Sequence, residues 1–278
     1  MREGLTALHA TTLMLKPAAP HIDEQIRLEI DRRLAKVERS DCVRLLVAVE
    51  SGSRAWGFPS PDSDYDVRFI YVRPRDWYLA LDAGRDVIEQ PISDDIDLNG
   101  WDIRKTLSLL LGSNAIVSEW LSSPIRYRPD DPVTARLVEL VRQTFNPRGI
   151  AFHYANLGRN AAERWLGGNE DVPVKRYFYA LRPALAIRAL RLEPAKLPPM
   201  NLQDLVAKSD LSKTLVEVIQ ELVEAKSRTR ELGNARRAPE LDNLIRDELS
   251  RAAELPERLP SADDRAAADQ FFLDLVNQ

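Results

Sequence analysis

Apolar residues recur early in the chain at Ile22, Ile26, Ile30, Leu34 and Val37, with Asp, Glu, Arg and Lys filling the positions between. Steps of three and four predict an amphipathic helix over residues 21–39. Ser40-Asp41 breaks the pattern, and the apolar run Val43 to Val49 follows. This run reads as a strand, and Val67 to Val72 reads as its neighbour. A short helix is expected over Trp77 to Leu81 and an irregular strand or hairpin arm over Arg85 to Ile92. A third strand is expected over Ile96 to Leu98. The helical period returns from Ile103 to Leu121, divided at Gly112-Ser113-Asn114 and stopped by Ser122-Ser123-Pro124. Ile125 to Tyr127 fits a short edge strand.

Past the turn-rich segment Arg128 to Pro132, the strand period disappears. Helices are expected over Val133 to Phe145 and from Gly149 or Ile150 to Leu166, the second stopped by Gly167-Gly168. Another runs from Val174 to Leu192, bent at Pro183. A proline-rich link, Glu193 to Pro199, leads to a short segment at Leu202 to Leu205 and a long charged helix over Ser212 to Leu232. Leu241, Leu244, Ile245 and Leu249 mark a helix after Pro239, and Asp263 to Val276 reads as a last one. These elements give an α+β chain: residues 1–128 carry a small mixed sheet with flanking helices, and residues 129–278 are all helical.

Composition changes this picture little. The 278 residues are 44% hydrophobic and 29% charged, as in ordinary soluble domains. Cys42 stands alone and cannot form an internal disulfide, which fits a reducing, cytoplasmic setting. The apolar runs are too short to cross a bilayer, and Met1 to Pro20 lacks the plan of a signal peptide, reading instead as a tail or short leading element. A net charge of −4 argues against broad electrostatic capture of nucleic acid but leaves room for a local basic groove. No P-loop or dinucleotide fingerprint is present, and no His/Cys cluster favours zinc.

The candidate chemistry sits between the first two strands, in SGSRAWGFPSPDSDYDVRFIY. Gly52-Ser53 ends one apolar run, and ten residues later Asp64 and Asp66 open the next. Alternation along a strand sends both aspartates to one side. Two carboxylates there repel unless a cation joins them, and Mg²⁺, with its preference for hard oxygen ligands, suits the pair. Gly52 lets the backbone approach a bound group, while Ser53 offers a hydroxyl and an N–H to a phosphate.

Strand, Gly-Ser, spacing, D-x-D and second strand together resemble the signature of the DNA polymerase β-type nucleotidyltransferase superfamily. GSRAWG and SDYDVRFIY are most similar to its RNA-repair-pathway (RlaP-type) family. The resemblance spans about residues 43–199. It implies a polymerase β-like catalytic domain, with the helical domain closing the nucleotide cleft. It implies Mg²⁺ as cofactor, with Mn²⁺ the alternative, an NTP as substrate and an RNA or tRNA end as acceptor. Nucleotidylation of a protein or small molecule is the alternative, and a nucleotide-binding module without turnover is the non-enzyme alternative.

Such a site also needs a third carboxylate from an adjacent strand, able to take the proton from the attacking hydroxyl. Asp97 in DDIDLNGWDIRK fits, and the family carries an acid just before its G-W-D-[LI]-R-K segment. Asp102 is the rival, although it also suits the N-cap of the following helix. The acidic balance from Asp62 to Asp102, eleven acids to four bases, suits bound cations or a solvated acidic surface.

The family's R-K…N…E-W-L block is matched by Arg104, Lys105, Asn114, Glu119 and Trp120, with Glu119 expected to be a structural hydrogen-bonding residue. Its K…Y…L-R pattern is matched by KRYFYALR. Here Lys175, Tyr179 and Arg182 fall on one helix face at i, i+4 and i+7. From that face Lys175 and Arg182 would clamp the phosphates, and Tyr179 would stack or donate. Gly52, Ser53 and Arg54 would hold the triphosphate from the other side. His153 and Tyr154 match a further His-Tyr block.

Overall fold

A computed structural model describes residues 14–16, 22–82, 84–163, 171–228 and 233–278. Asp23 caps helix α1 (Glu24–Asp41) by accepting from the N–H groups of Gln25 and Ile26. Buried Ile30, Leu34 and Val37 form its inner face. Cys42, in the left-handed region at φ 51°, ends it and turns the chain into strand β1 (Arg44–Glu50). A one-turn helix α2 (Ser53–Trp56) and a loop follow, and β2 (Tyr65–Val72) returns antiparallel to β1.

Helix α3 (Arg75–Tyr78) leads to β3 (Val87–Glu89) and then β4 (Ile96–Asp102). The sheet order is β1-β2-β4-β3, with β2 and β4 parallel and β3 antiparallel to β4. The third strand therefore reaches four residues past Leu98, because Asn99, Gly100 and Trp101 pair with β2 on one side and β3 on the other. Residues 125–127 lie along the free edge of β1. There the Glu50 N–H donates to the Ile125 carbonyl and the Tyr127 N–H to the Ala48 carbonyl.

Each face of the sheet is covered. Val67, Phe69, Tyr71, Ile96 and Leu98 pack under α1. On the other face, Val49, Ile70 and Val72 meet α4 (Ile103–Leu111) and α5 (Ala115–Ser122), which are separated by Ser113 at φ 58°. Asn114 caps α5. The same core also takes in α6 (Thr134–Gln143).

The rest of the chain builds a second core. Helices α7 (Pro147–Ala162) and α8 (Val174–Leu192) are its centre, with a short strand β5 (Asp171–Pro173) before α8. Helix α9 (Leu202–Ala207), α10 (Lys213–Arg228), strand β6 (Asn234–Arg236) and α11 (Pro239–Ser250) complete it. β5 and β6 form a two-stranded antiparallel ribbon that the helical reading of this half did not expect. The last helix, α12 (Ala262–Val276), leaves this core and packs Phe271 and Leu275 into the core beside the sheet. The cores are thus not divided at residue 128: α6 and α12 belong with the sheet. The leading segment over residues 1–20, apart from 14–16, lies outside the described residues. So do the stop at Gly167-Gly168 and the end of the long helix at Leu232. Among the described residues no helix is long and apolar enough to cross a membrane.

Candidate active site

The turn after β1 is built against the start of β2. Gly52 has φ 141°, which favours glycine. A Cβ added there would lie 1.9 Å from Asp66 Oδ2, so only glycine allows the turn and this carboxylate to touch. The Ser51 N–H donates to the Asp66 carbonyl at 2.8 Å and closes the same contact from the backbone side. Ser53 opens α2, and its hydroxyl donates to Ser63 Oγ at 3.0 Å. Arg54 staples the turn to the D-x-D segment. Its NH2 donates to the Ser63 carbonyl at 2.6 Å and its Nε to the Asp64 carbonyl at 3.2 Å, while the guanidinium lies over the Tyr65 ring. Arg54 thus shapes the loop beside the D-x-D segment.

Asp64 lies exposed just ahead of β2, and Asp66 is half-buried inside it. Asp97 is the register partner of Asp66 on parallel β4. Arg68 joins the two acids: its NH2 donates to Asp66 Oδ1 at 3.0 Å and to Asp97 Oδ2 at 2.7 Å. Burial raises the Asp66 pKa, Arg68 acts against this, and the charges of Asp97 and Asp64 add to the rise. Lys175 on α8 is close enough to favour the ionised Asp66. Asp102 sits five residues further along β4, roughly 16 Å away at about 3.3 Å per residue. It is buried, caps α4 by accepting from the Arg104 N–H at 2.8 Å, and accepts from the Tyr78 hydroxyl at 2.8 Å. Asp97, not Asp102, therefore shares the Asp66 end of the sheet.

The α8 face turns toward α2. Tyr179, 40% exposed, meets Trp56 edge-on at 5.3 Å between centroids, and Arg182 stacks over the same indole at 4.2 Å. Phe58 stacks on Phe178 at 4.4 Å and fixes the loop to the helix. Arg182 departs from the expected phosphate clamp. It is buried, its NH1 and NH2 donate to Glu119 at 2.7 and 3.1 Å, and NH1 also reaches the Met200 carbonyl. A buried carboxylate demands such a partner, and Glu119 takes a further bond from the Tyr154 hydroxyl at 2.7 Å. Glu119 and Tyr154 are thus interior hydrogen-bonding residues. His153 Nδ1 is buried without a hydrogen-bond partner among the described residues, and burial lowers its pKa.

Two residues of the site went unread in the sequence. Glu50 closes β1, fully buried. Its Oε1 accepts from the Asp66 N–H at 3.0 Å, and its Oε2 accepts from the Tyr127 hydroxyl. Burial pushes its carboxyl up to about 7, opposed by the Tyr127 hydrogen bond and helped by the charge of Asp66. Arg68 is the other. The alternation that aligns the aspartates also puts residue 68 on the Asp66 side of β2, and that was the signal available.

The donor set suits a hard divalent ion. Asp66 and Asp97 already turn one oxygen each to a single cationic group, and Asp66 Oδ2 packs against the backbone of the Gly52 turn. Three ligating groups are not preassembled around one point among the described residues.

The sequence matches the family model described as RlaP, RNA repair pathway DNA polymerase beta family, over residues 26–274. It is also 41% identical over 230 residues to YcgL, an uncharacterised protein of Bacillus subtilis (strain 168), in an alignment covering 81% of this chain and 86% of the relative.

Proposed function

The chain belongs to the RNA repair pathway DNA polymerase beta family, and from that premise we propose that it moves a nucleoside monophosphate from an NTP to a hydroxyl, releasing pyrophosphate, with an RNA or tRNA end as acceptor. The observation that carries this reading is the contact between the Gly52 turn and Asp66, with Asp97 in register beside it. A phosphate-binding turn and paired acids on neighbouring strands are what in-line phosphoryl transfer needs.

Asp64 and Asp66 would hold the divalent ion, Mg²⁺ or Mn²⁺, with Asp97 as the third acid. That ion, when bound, supplies charge neutralisation on the triphosphate. Around Gly52 the triphosphate would meet backbone rather than side chain, and Ser53 would add its hydroxyl once that turns away from Ser63 Oγ. Lys175 brings positive charge from α8. Tyr179 presents an exposed ring on the same face, suited to stacking on the nucleotide. Asp97 would take the proton of the attacking hydroxyl.

Incubation with each labelled NTP, Mg²⁺ and tRNA tests the reading. Label on RNA is the expected outcome. Label on protein would favour nucleotidylation of a protein, and binding without transfer would favour a nucleotide sensor. Asp64→Asn with Asp66→Asn is expected to abolish transfer while circular dichroism and the melting profile stay close to the parent. Turnover surviving in that variant would refute the metal assignment.

A further inference from the structure

Three serine hydroxyls meet beside the Gly52 turn. Ser63 Oγ is their hub. It accepts from the Ser53 hydroxyl at 3.0 Å and from the Ser60 N–H at 2.9 Å, and it lies 2.8 Å from Ser60 Oγ. A turn through Pro61 and Asp62 brings the two ends together, closed by the Ser63 N–H donating to the Ser60 carbonyl at 3.1 Å. Arg54 holds the Ser63 carbonyl from the other side. The Ser63 backbone is therefore tied at both its donor and its acceptor, which fixes the place of its Oγ. Ser60 and Ser63 are each only 3% exposed, whereas Ser53 is half-buried.

A serine hydroxyl has one hydrogen to give and two lone pairs with which to accept. With Ser53 donating, both lone pairs of Ser63 are taken, one by Ser53 and one by the Ser60 N–H. The Ser63 hydrogen then goes to Ser60 Oγ. That leaves the Ser60 hydrogen over, since Ser60 Oγ has no other hydrogen-bond partner among the described residues. A buried donor without an acceptor is costly. The opposite order leaves nothing over inside: Ser60 donates to Ser63, Ser63 donates to Ser53, and the unmatched hydrogen moves to Ser53 at the more open end. No oxygen has to shift, because only the hydrogens turn about their C–O bonds.

We propose that Ser60 and Ser63 are positioning residues that form a hydroxyl relay, turning the Ser53 hydrogen out to a phosphate oxygen of the nucleotide. This rests on the nucleotidyl-transfer reading and names what orients its phosphate contact. With a phosphate oxygen at Ser53, every hydrogen along the relay has an acceptor. Ser60 and Ser63 do this without touching the nucleotide. Hydroxyls linked in one direction also polarise one another, which strengthens the outermost bond.

A double-mutant cycle tests the relay. The dissociation constant of a non-hydrolysable ATP analogue with Mg²⁺ is measured by calorimetry for the wild type, Ser53→Ala, Ser63→Ala and the double variant. Ser63→Ala is expected to weaken binding roughly three- to tenfold, the worth of holding one side chain in place. In the Ser53→Ala background the same change is expected to have no further effect, because Ser63 acts only through the Ser53 hydroxyl. A merely structural Ser63 would weaken binding equally in both backgrounds, and that additive result would overturn the inference. So would wild-type affinity in Ser63→Ala. Ser63→Cys keeps the shape with a weak donor and acceptor; it is expected to show the same loss and the same dependence on Ser53, and it carries the cycle if Ser63→Ala fails to fold. Either overturning result leaves the proposed function in place. No binding of the analogue to the wild type would remove the nucleotidyl-transfer reading, and this inference with it.

Discussion

Glu50 has no exposed surface, and its carboxyl is shared between the Asp66 N–H and the Tyr127 hydroxyl. Burial lifts its pKa from an ordinary 4.5 to about 7. Below 4.5 both folded and unfolded chains hold the proton, and the residue carries no penalty. Between 4.5 and 7 the unfolded chain releases it while the folded chain keeps it, so stability falls as pH rises. At about 1.4 kcal/mol per pKa unit, the full penalty is about 3 kcal/mol above pH 7. Glu50→Gln keeps the shape and removes the titration. In metal-free protein, its stability relative to wild type, measured by urea unfolding, is expected to grow by up to about 3 kcal/mol from pH 4.5 to 8. A difference that does not change with pH would show that Glu50 does not titrate in that window. Asp64 and Asp66 could be singled out in the sequence because their pattern is local: a turn, a spacing and a strand period; Asp97, on another strand, needed the family resemblance as well. Glu50 could not, because it reads as the polar end of an apolar run. Its partners arrive from 16 and 77 residues away.

Among the elements, α8 was legible as a helix with one face carrying Lys175, Tyr179 and Arg182. What the period could not tell was which neighbour each side chain would meet. Lys175 and Tyr179 lie toward the carboxylates and α2, whereas Arg182 is one turn deeper, where α5 presents Glu119. The pair is 63 residues apart in sequence, beyond any local pattern. The ion pair clamps α5 to α8, with Tyr154 of α7 as the third member. Removing one partner of a buried pair leaves the other charge uncompensated. Arg182→Ala is therefore expected to cost about 3–5 kcal/mol of stability in urea unfolding. A stable variant with only a raised KM for NTP would return Arg182 to the phosphate-binding set.

Over the whole molecule, the sequence pattern predicts two successive units meeting at residue 128, and the packing of the cores cuts across that order. The change from strand period to helix period after Arg128 is real, but secondary-structure type does not decide which core a helix completes. Among the described residues, seven of the eighteen buried members of the core on the α4–α5 face of the sheet lie beyond residue 128, including Leu137 and Leu140 of α6 and Phe271 and Leu275 of α12. Tyr78 of α3 meets Phe272 edge-on, and Arg104 of α4 stacks over both rings. Conversely Phe58, from the loop beside α2, is buried in the helical core. Each half thus supplies side chains that the other needs, which keeps the Gly52 turn and the α8 face in fixed relation. A fragment ending at residue 128 would leave the α4–α5 face of its sheet open to water, losing the burial that stabilises it. It is expected to show no cooperative thermal transition and poor dispersion of amide resonances. A well-dispersed spectrum would mean that the sheet closes its core without α6 and α12, and that the site residues of β2 and β4 can assemble independently of α8.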